Sequence, residues 1–129
     1  MFVVFRAWGT DFDPQKFAAT FQLERCSFWV RGQPRHPGTP APETSGFRLQ
    51  LPEAEGSSGM MHSIRKFLND GGHWLDALKA QGVQNEIDIG LLVGSDAAFT
   101  ASASFDPDFL RTLADHGVGL VCSAYPASD

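Results

Sequence analysis

The chain has 129 residues, two cysteines, 10 Lys and Arg against 15 Asp and Glu, and a formal charge of −5. That length suits one domain, here 1–129, with a core that needs no staples. The acidic balance excludes a phosphate-tracking nucleic-acid binder, which needs clustered Lys and Arg, and two cysteines exclude a disulfide scaffold. No apolar run approaches the ~20 residues that cross a bilayer, and the start, Met1-Phe2-Val3-Val4-Phe5-Arg6, has no basic leader. A soluble, cytoplasmic protein is expected.

Phe2 to Trp8 reads as a strand with apolar residues on both faces, a pattern of a central strand covered on both sides for part of its length. Phe12-Asp13-Pro14 follows. Asp13 can cap a helix, Pro14 suits its first position, and Phe12 and Phe17 stand at hydrophobic-staple spacing. The spacing predicts a short helix over 14–21, then a strand over Cys26 to Arg31. Residues 32–46 carry four prolines and no periodicity, so a flexible loop is expected there. Phe47, Leu49 and Leu51 alternate with polar residues as a half-buried strand that Pro52 ends.

From Met60 to Gln81 apolar residues recur at helical spacing, with Ser57 or Ser58 as a candidate cap. Gly71-Gly72 interrupts this run, at ~2 kcal/mol relative to two alanines, predicting one helix weak in the middle or two helices. Gly82 closes the segment. Ile87, Ile89, Leu91 and Val93 alternate with Glu86, Asp88 and Gly90, a strand with acids on its solvent face. Gly94-Ser95-Asp96 is a turn signal, and Phe99, Ala101 and Ala103 read as the returning strand of a hairpin. A second Phe-Asp-Pro, residues 105–107, opens a helix with Phe105 and Leu110 as its staple; Gly117 ends it, and Val118 to Tyr125 is the last strand. The order implies an α+β fold: two β-α-β units around a central strand–helix–strand section, one mixed sheet, helices mainly on one face.

The Asp13-Pro14 and Phe105-Asp106-Pro107 helix starts, Trp29 and Gly32 before a variable loop, Ser45-Gly46-Phe47-Arg48-Leu49, and the closing Gly117-Val118-Gly119-Leu120 run ending in Tyr125 resemble the bacterial family called domain of unknown function 4279. The resemblance spans nearly the whole chain. It departs at Phe47, where the family pattern usually has Trp, and at Ser123-Ala124, where it tends to have an Asp before the closing Tyr. A role resting on that Asp is therefore in doubt here. The resemblance carries no established activity. It implies small stand-alone proteins of the kind found beside bacterial toxin genes, hence an immunity role.

No catalytic or metal-binding pattern rises from the residues. Asp11 with Asp13, and Asp106 with Asp108, flank helix N-termini, where carboxylates cap and complement the dipole. His36, His62, His73 and His116 lack zinc-site spacing. Cys26 and Cys122 read as small hydrophobes in strands. Partner binding is expected instead at Trp29, Arg31, Arg35, His36 and Arg48, an aromatic with a basic rim beside the Pro-rich loop, and at an acidic group of Glu86, Asp88 and Asp96 suited to a basic toxin. The expectation is a non-enzymatic binding protein without cofactor, most specifically an immunity protein that neutralises a toxin. The alternative is a small-ligand-binding or regulatory domain.

Overall fold

A single mixed sheet runs through the computed structural model, which describes residues 1–127. Its elements in chain order are β1 (Phe2–Gly9), α1 (Pro14–Thr20), β2 (Cys26–Trp29), β3 (Ser45–Gln50), α2 (Gly56–Asp70), α3 (Gly72–Ala80), β4 (Gln84–Val93), α4 (Pro107–Asp115) and β5 (Gly119–Pro126). The strand order across the sheet is β2-β3-β1-β4-β5. β1 is central and antiparallel to both neighbours, with Phe5 opposite Leu49 on one side and Ile87 on the other. β2 is antiparallel to β3, and β5 is parallel to β4.

The first β-α-β unit forms in split fashion, and the second forms with a different opening strand from the one expected. β1 and β2 run parallel with β3 inserted between them, so the first unit is split. In the second, β4 itself is the opening strand, and α4 carries the chain to β5 at its side. The returning strand expected at Phe99, Ala101 and Ala103 does not form. The turn does, with the Gly94 N–H donating to the Ala98 carbonyl at 2.8 Å. The reason is occupancy: β1 takes one edge of β4 and β5 the other. Phe99 is left 80% exposed.

Alternate residues of the strands define two unlike faces. Val3, Phe5 and Ala7 of β1, Phe47 of β3, and Ile87 and Ile89 of β4 are buried in one core with Phe17 of α1, Met60, Ile64 and Leu68 of α2, Leu75 and Leu78 of α3, and Phe109 and Leu113 of α4. All four helices therefore cover the same face. Each fully buried side chain of this size stabilises by ~1.5–3 kcal/mol. The other face of β1, residues Phe2, Val4, Arg6 and Trp8, meets no helix, which corrects the expectation of cover on both sides.

Local chemistry places the helices. The Asp13 carboxylate accepts from the Lys16 N–H at 3.1 Å, and Asp106 accepts from the Phe109 N–H at 2.7 Å. Phe12 meets Phe17 at 5.7 Å between ring centroids, as staple spacing predicts. At the second start Phe105 stacks instead on Phe109, at 6.0 Å, while Leu110 is 44% exposed. Neither Ser57 nor Ser58 caps α2, which begins after Glu55 with no side-chain cap. Ser57 Oγ accepts from the Ser104 N–H at 2.8 Å, pinning the segment before α4 to the start of α2. The Gly71-Gly72 run ends in two helices. A Cβ at Gly71 would come within 2.8 Å of the Trp74 indole, so the break is where that buried ring packs. Gly82 and Gly117, at φ +69° and +68°, follow α3 and α4 in the left-handed conformation that helix ends favour.

Candidate binding site on the open face of the sheet

The helix-free face is not flat. Phe2, Val4 and Arg6 of β1, Arg48 and Gln50 of β3, Asp88, Gly90 and Leu92 of β4, and Tyr125 of β5 line a concavity of about 270 Å³. Gly90 makes its floor open: a Cβ there would lie 3.1 Å from Cε2 of Tyr125, whose ring leans over the glycine. Leu92 and Tyr125, 44% and 45% exposed, stand at the rim on neighbouring strands.

The centre of this face is an ion-pair network. Arg6 Nη1 donates to Asp88 Oδ2 at 2.8 Å and lies 3.4 Å from Glu86 Oε1. The Ser123 hydroxyl donates to the other Asp88 oxygen at 2.8 Å. Burial works against the Arg6 charge, but the hydrogen bond and the charge of Asp88, with Glu86 behind them, outweigh it and raise the Arg6 pKa. Asp88, buried to 6% exposure, thus has its charge paired with Arg6. The sequence signal was present in β1: a lone Arg on an otherwise apolar strand face requires a counter-charge.

Arg48 differs. It stands directly across from Arg6, is exposed, and has no hydrogen-bond or ion-pair partner among the described residues. Two like charges in directly opposed positions repel. Only one of these two has its carboxylates.

The expected site residues separate into three places. Arg48, Glu86 and Asp88 share the open face, so the basic and acidic groups foreseen as separate surfaces meet in one. Asp96 lies beyond the end of β4, in the turn. Trp29, Arg31, Arg35 and His36 gather at the far edge. The Arg35 guanidinium sits 5.8 Å from the Trp29 ring centroid, and the Trp29 Nε1–H donates to Thr44 Oγ1 at 3.3 Å. The Arg31 N–H donates to Ser45 Oγ at 2.8 Å. Trp29, Arg35 and His36 line a second hollow of about 380 Å³ with Gln15, Phe28 and Pro34. The Pro-rich segment has hydrogen bonds of its own, including Gly32 N–H to the Pro42 carbonyl at 3.0 Å, and it ends at Thr44, because Ser45 and Gly46 belong to β3. Trp74 is a core residue. Gln50, Leu92 and Gly90 had no distinguishing signal before the sheet order was known, and Tyr125 stood out only as the end of the closing run.

Other reactive groups are scattered. Cys26 and Cys122 are free and lie on opposite edge strands. His116 Nδ1 is 2.9 Å from the Thr112 carbonyl at the end of α4. Among the described residues no three His, Cys, Asp or Glu side chains gather as a metal-binding group, and no helix is long and apolar enough to cross a membrane.

A family model described as domain of unknown function (DUF4279) matches residues 1–127. The chain belongs to this family. The DUF4279 match covers all five strands, so the open face and its concavity are parts of the family domain rather than additions to it. No curated protein and no solved structure matches the chain.

Proposed function

We propose that this DUF4279 protein is a non-enzymatic binding protein that works through the helix-free face of its sheet. The observation that carries the reading is the asymmetry of that sheet. Helices pack on one face, while the other presents Leu92 and Tyr125 at the rim of a concavity with Arg6, Arg48 and Asp88 inside it. Exposed aromatic and arginine side chains around a depression are the usual anchors of a protein interface.

In its most specific form the proposal is a cytoplasmic bacterial immunity protein that occludes a toxin. The resemblance to small proteins encoded beside toxin genes motivates it. The charge of −5 supports attraction of a basic partner over the whole surface. A local acidic patch at Glu86 and Asp88 contributes little, since Arg6 takes up both. Co-expression with the product of the adjacent gene tests this form: protection and a stable complex, both lost on Leu92→Lys with Tyr125→Ala, are expected. No protection and no complex would refute it.

A second reading, a small-ligand-binding domain, is favoured by the concavity, where polar groups converge over an apolar floor. Thermal stabilisation rising with ligand concentration is the expected result.

A further inference from the structure

We propose that the open-face concavity is a binding site for a small monocarboxylate carried on an apolar or aromatic body, with Arg48 as the carboxylate's partner. This deepens the small-ligand reading and rests on the helix-free face being the working surface.

The charge count within the concavity comes first. Its lining holds Arg6, Arg48 and Asp88, and Glu86 stands beside Arg6 on the same face, so two cations stand with two anions. Asp88 is committed on both oxygens, to Arg6 and to Ser123. Arg6 Nη1 is committed to Asp88 and Glu86. The remaining charge is that of Arg48, directly across from Arg6 and without a carboxylate among the described residues. Arg6 is already offset by two carboxylates, so Arg48 is the cation left to meet an incoming anion. The planar guanidinium fork matches a carboxylate with two parallel hydrogen bonds. The buried Asp88 carboxylate nearby opposes a second negative charge on the ligand. The neighbouring Gln50 side chain on β3 also has no hydrogen-bond partner among the described residues and offers amide donors beside Arg48.

The rest of the lining selects the body. Phe2, Val4, Gly90, Leu92 and Tyr125 are apolar or aromatic, and the open position above Gly90 is walled by the Tyr125 ring. At about 270 Å³ the concavity falls just below the ~300 Å³ where drug-sized pockets begin. It suits an aryl or alkyl acid of amino-acid size rather than a nucleotide or an oligosaccharide.

Phenylacetate is the probe, with phenylacetamide and phenethylamine as neutral and cationic isosteres. Each is titrated into the full-length ¹⁵N-labelled protein. Phenylacetate is expected to give saturable shifts at the amides of Gly90, Arg48 and Tyr125. The amide should bind roughly ten-fold or more weaker, because it offers no charge-assisted pair. Arg48→Gln should weaken phenylacetate by a similar factor and leave the amide unaffected. Arg48 is exposed, so this variant keeps the fold, and its unliganded spectrum checks that. Equal binding of acid and amide, unchanged binding by Arg48→Gln, or shifts confined to another surface would each overturn the proposal. So would no saturable shift at about 10 mM, where even a Kd near 1 mM is saturated. Failure here does not reach the protein-partner reading, which is decided by protection and complex formation without any small molecule.

Discussion

The indole of Trp29 fills the space in which a side chain at Gly46 would have to stand. The two residues are directly paired across β2 and β3, and a Cβ at Gly46 would collide with the indole and with the Ala7 carbonyl of β1. One obstacle is a ring that can turn; the other is backbone of the central strand. Gly46→Ala is therefore expected to destabilise toward the upper end of the ~1–3 kcal/mol typical of overpacking. The midpoint of urea unfolding measures it. Wild-type stability would show that β3 shifts freely against β1.

Arg6→Ala removes the one charge partner that Glu86 and Asp88 share. Breaking a buried pair from one side usually costs ~3–5 kcal/mol. Here the lower end is expected, because the Ser123 hydroxyl still serves Asp88 and the Arg6 side chain is 27% exposed. A second substitution, Asp88→Asn, should recover part of the loss, since a neutral amide costs less to leave unpaired. A double-mutant cycle by chemical denaturation reads the coupling, and additive effects would mean the contact carries little energy.

The two helix caps permit a paired comparison. Asp13→Ala and Asp106→Ala should each lower stability by ~1 kcal/mol. Asp106 is expected to cost more, since its bond to the Phe109 N–H is 2.7 Å and holds the first turn of a helix whose Phe109 is fully buried. Its added pair with Arg65, at 3.2 Å between exposed side chains, contributes little. Asn at either position keeps the acceptor and should restore most of the loss.

The thiols should differ in reactivity. Burial pushes the Cys26 thiol up from its ordinary value, while Cys122 is exposed on β5. Since the thiolate is the reactive form, iodoacetamide at pH 8 should label Cys122 first. The sign for stability follows from the same shift. The folded state holds the Cys26 proton more tightly than the unfolded chain. The contribution is present below the ordinary thiol range and is lost as pH rises through the raised value. Mass spectrometry of a labelling time course separates the two sites, and equal rates would contradict the burial at Cys26.

Much of this fold was legible because its signals are local. Alternation in Ile87, Ile89 and Leu91 marks β4, and Asp13-Pro14 and Asp106-Pro107 mark helix starts. The failures came where the outcome depends on residues far away. Phe99, Ala101 and Ala103 alternate like a strand, yet both edges of β4 are already taken. Glu86 and Asp88 look like a solvated acidic face until the antiparallel register brings Arg6 across from Glu86. Arg48 was identifiable as a candidate, but that it has no counter-ion among the described residues is visible only once every neighbouring strand is placed.

The insertion of β3 between β1 and β2 also sets an order of assembly. β1 is the first of the five strands in chain order, and it lies at the centre of the sheet. Its partners begin at Ser45 and Gln84, so neither edge can be satisfied by nearby chain. Two long loops must close before the middle of the sheet exists, which places this domain among the slower-folding topologies of its size. During synthesis β1 waits with one edge open until β4 has emerged, and a nascent chain halted before Gln84 would carry that edge to any chaperone or neighbouring chain it meets.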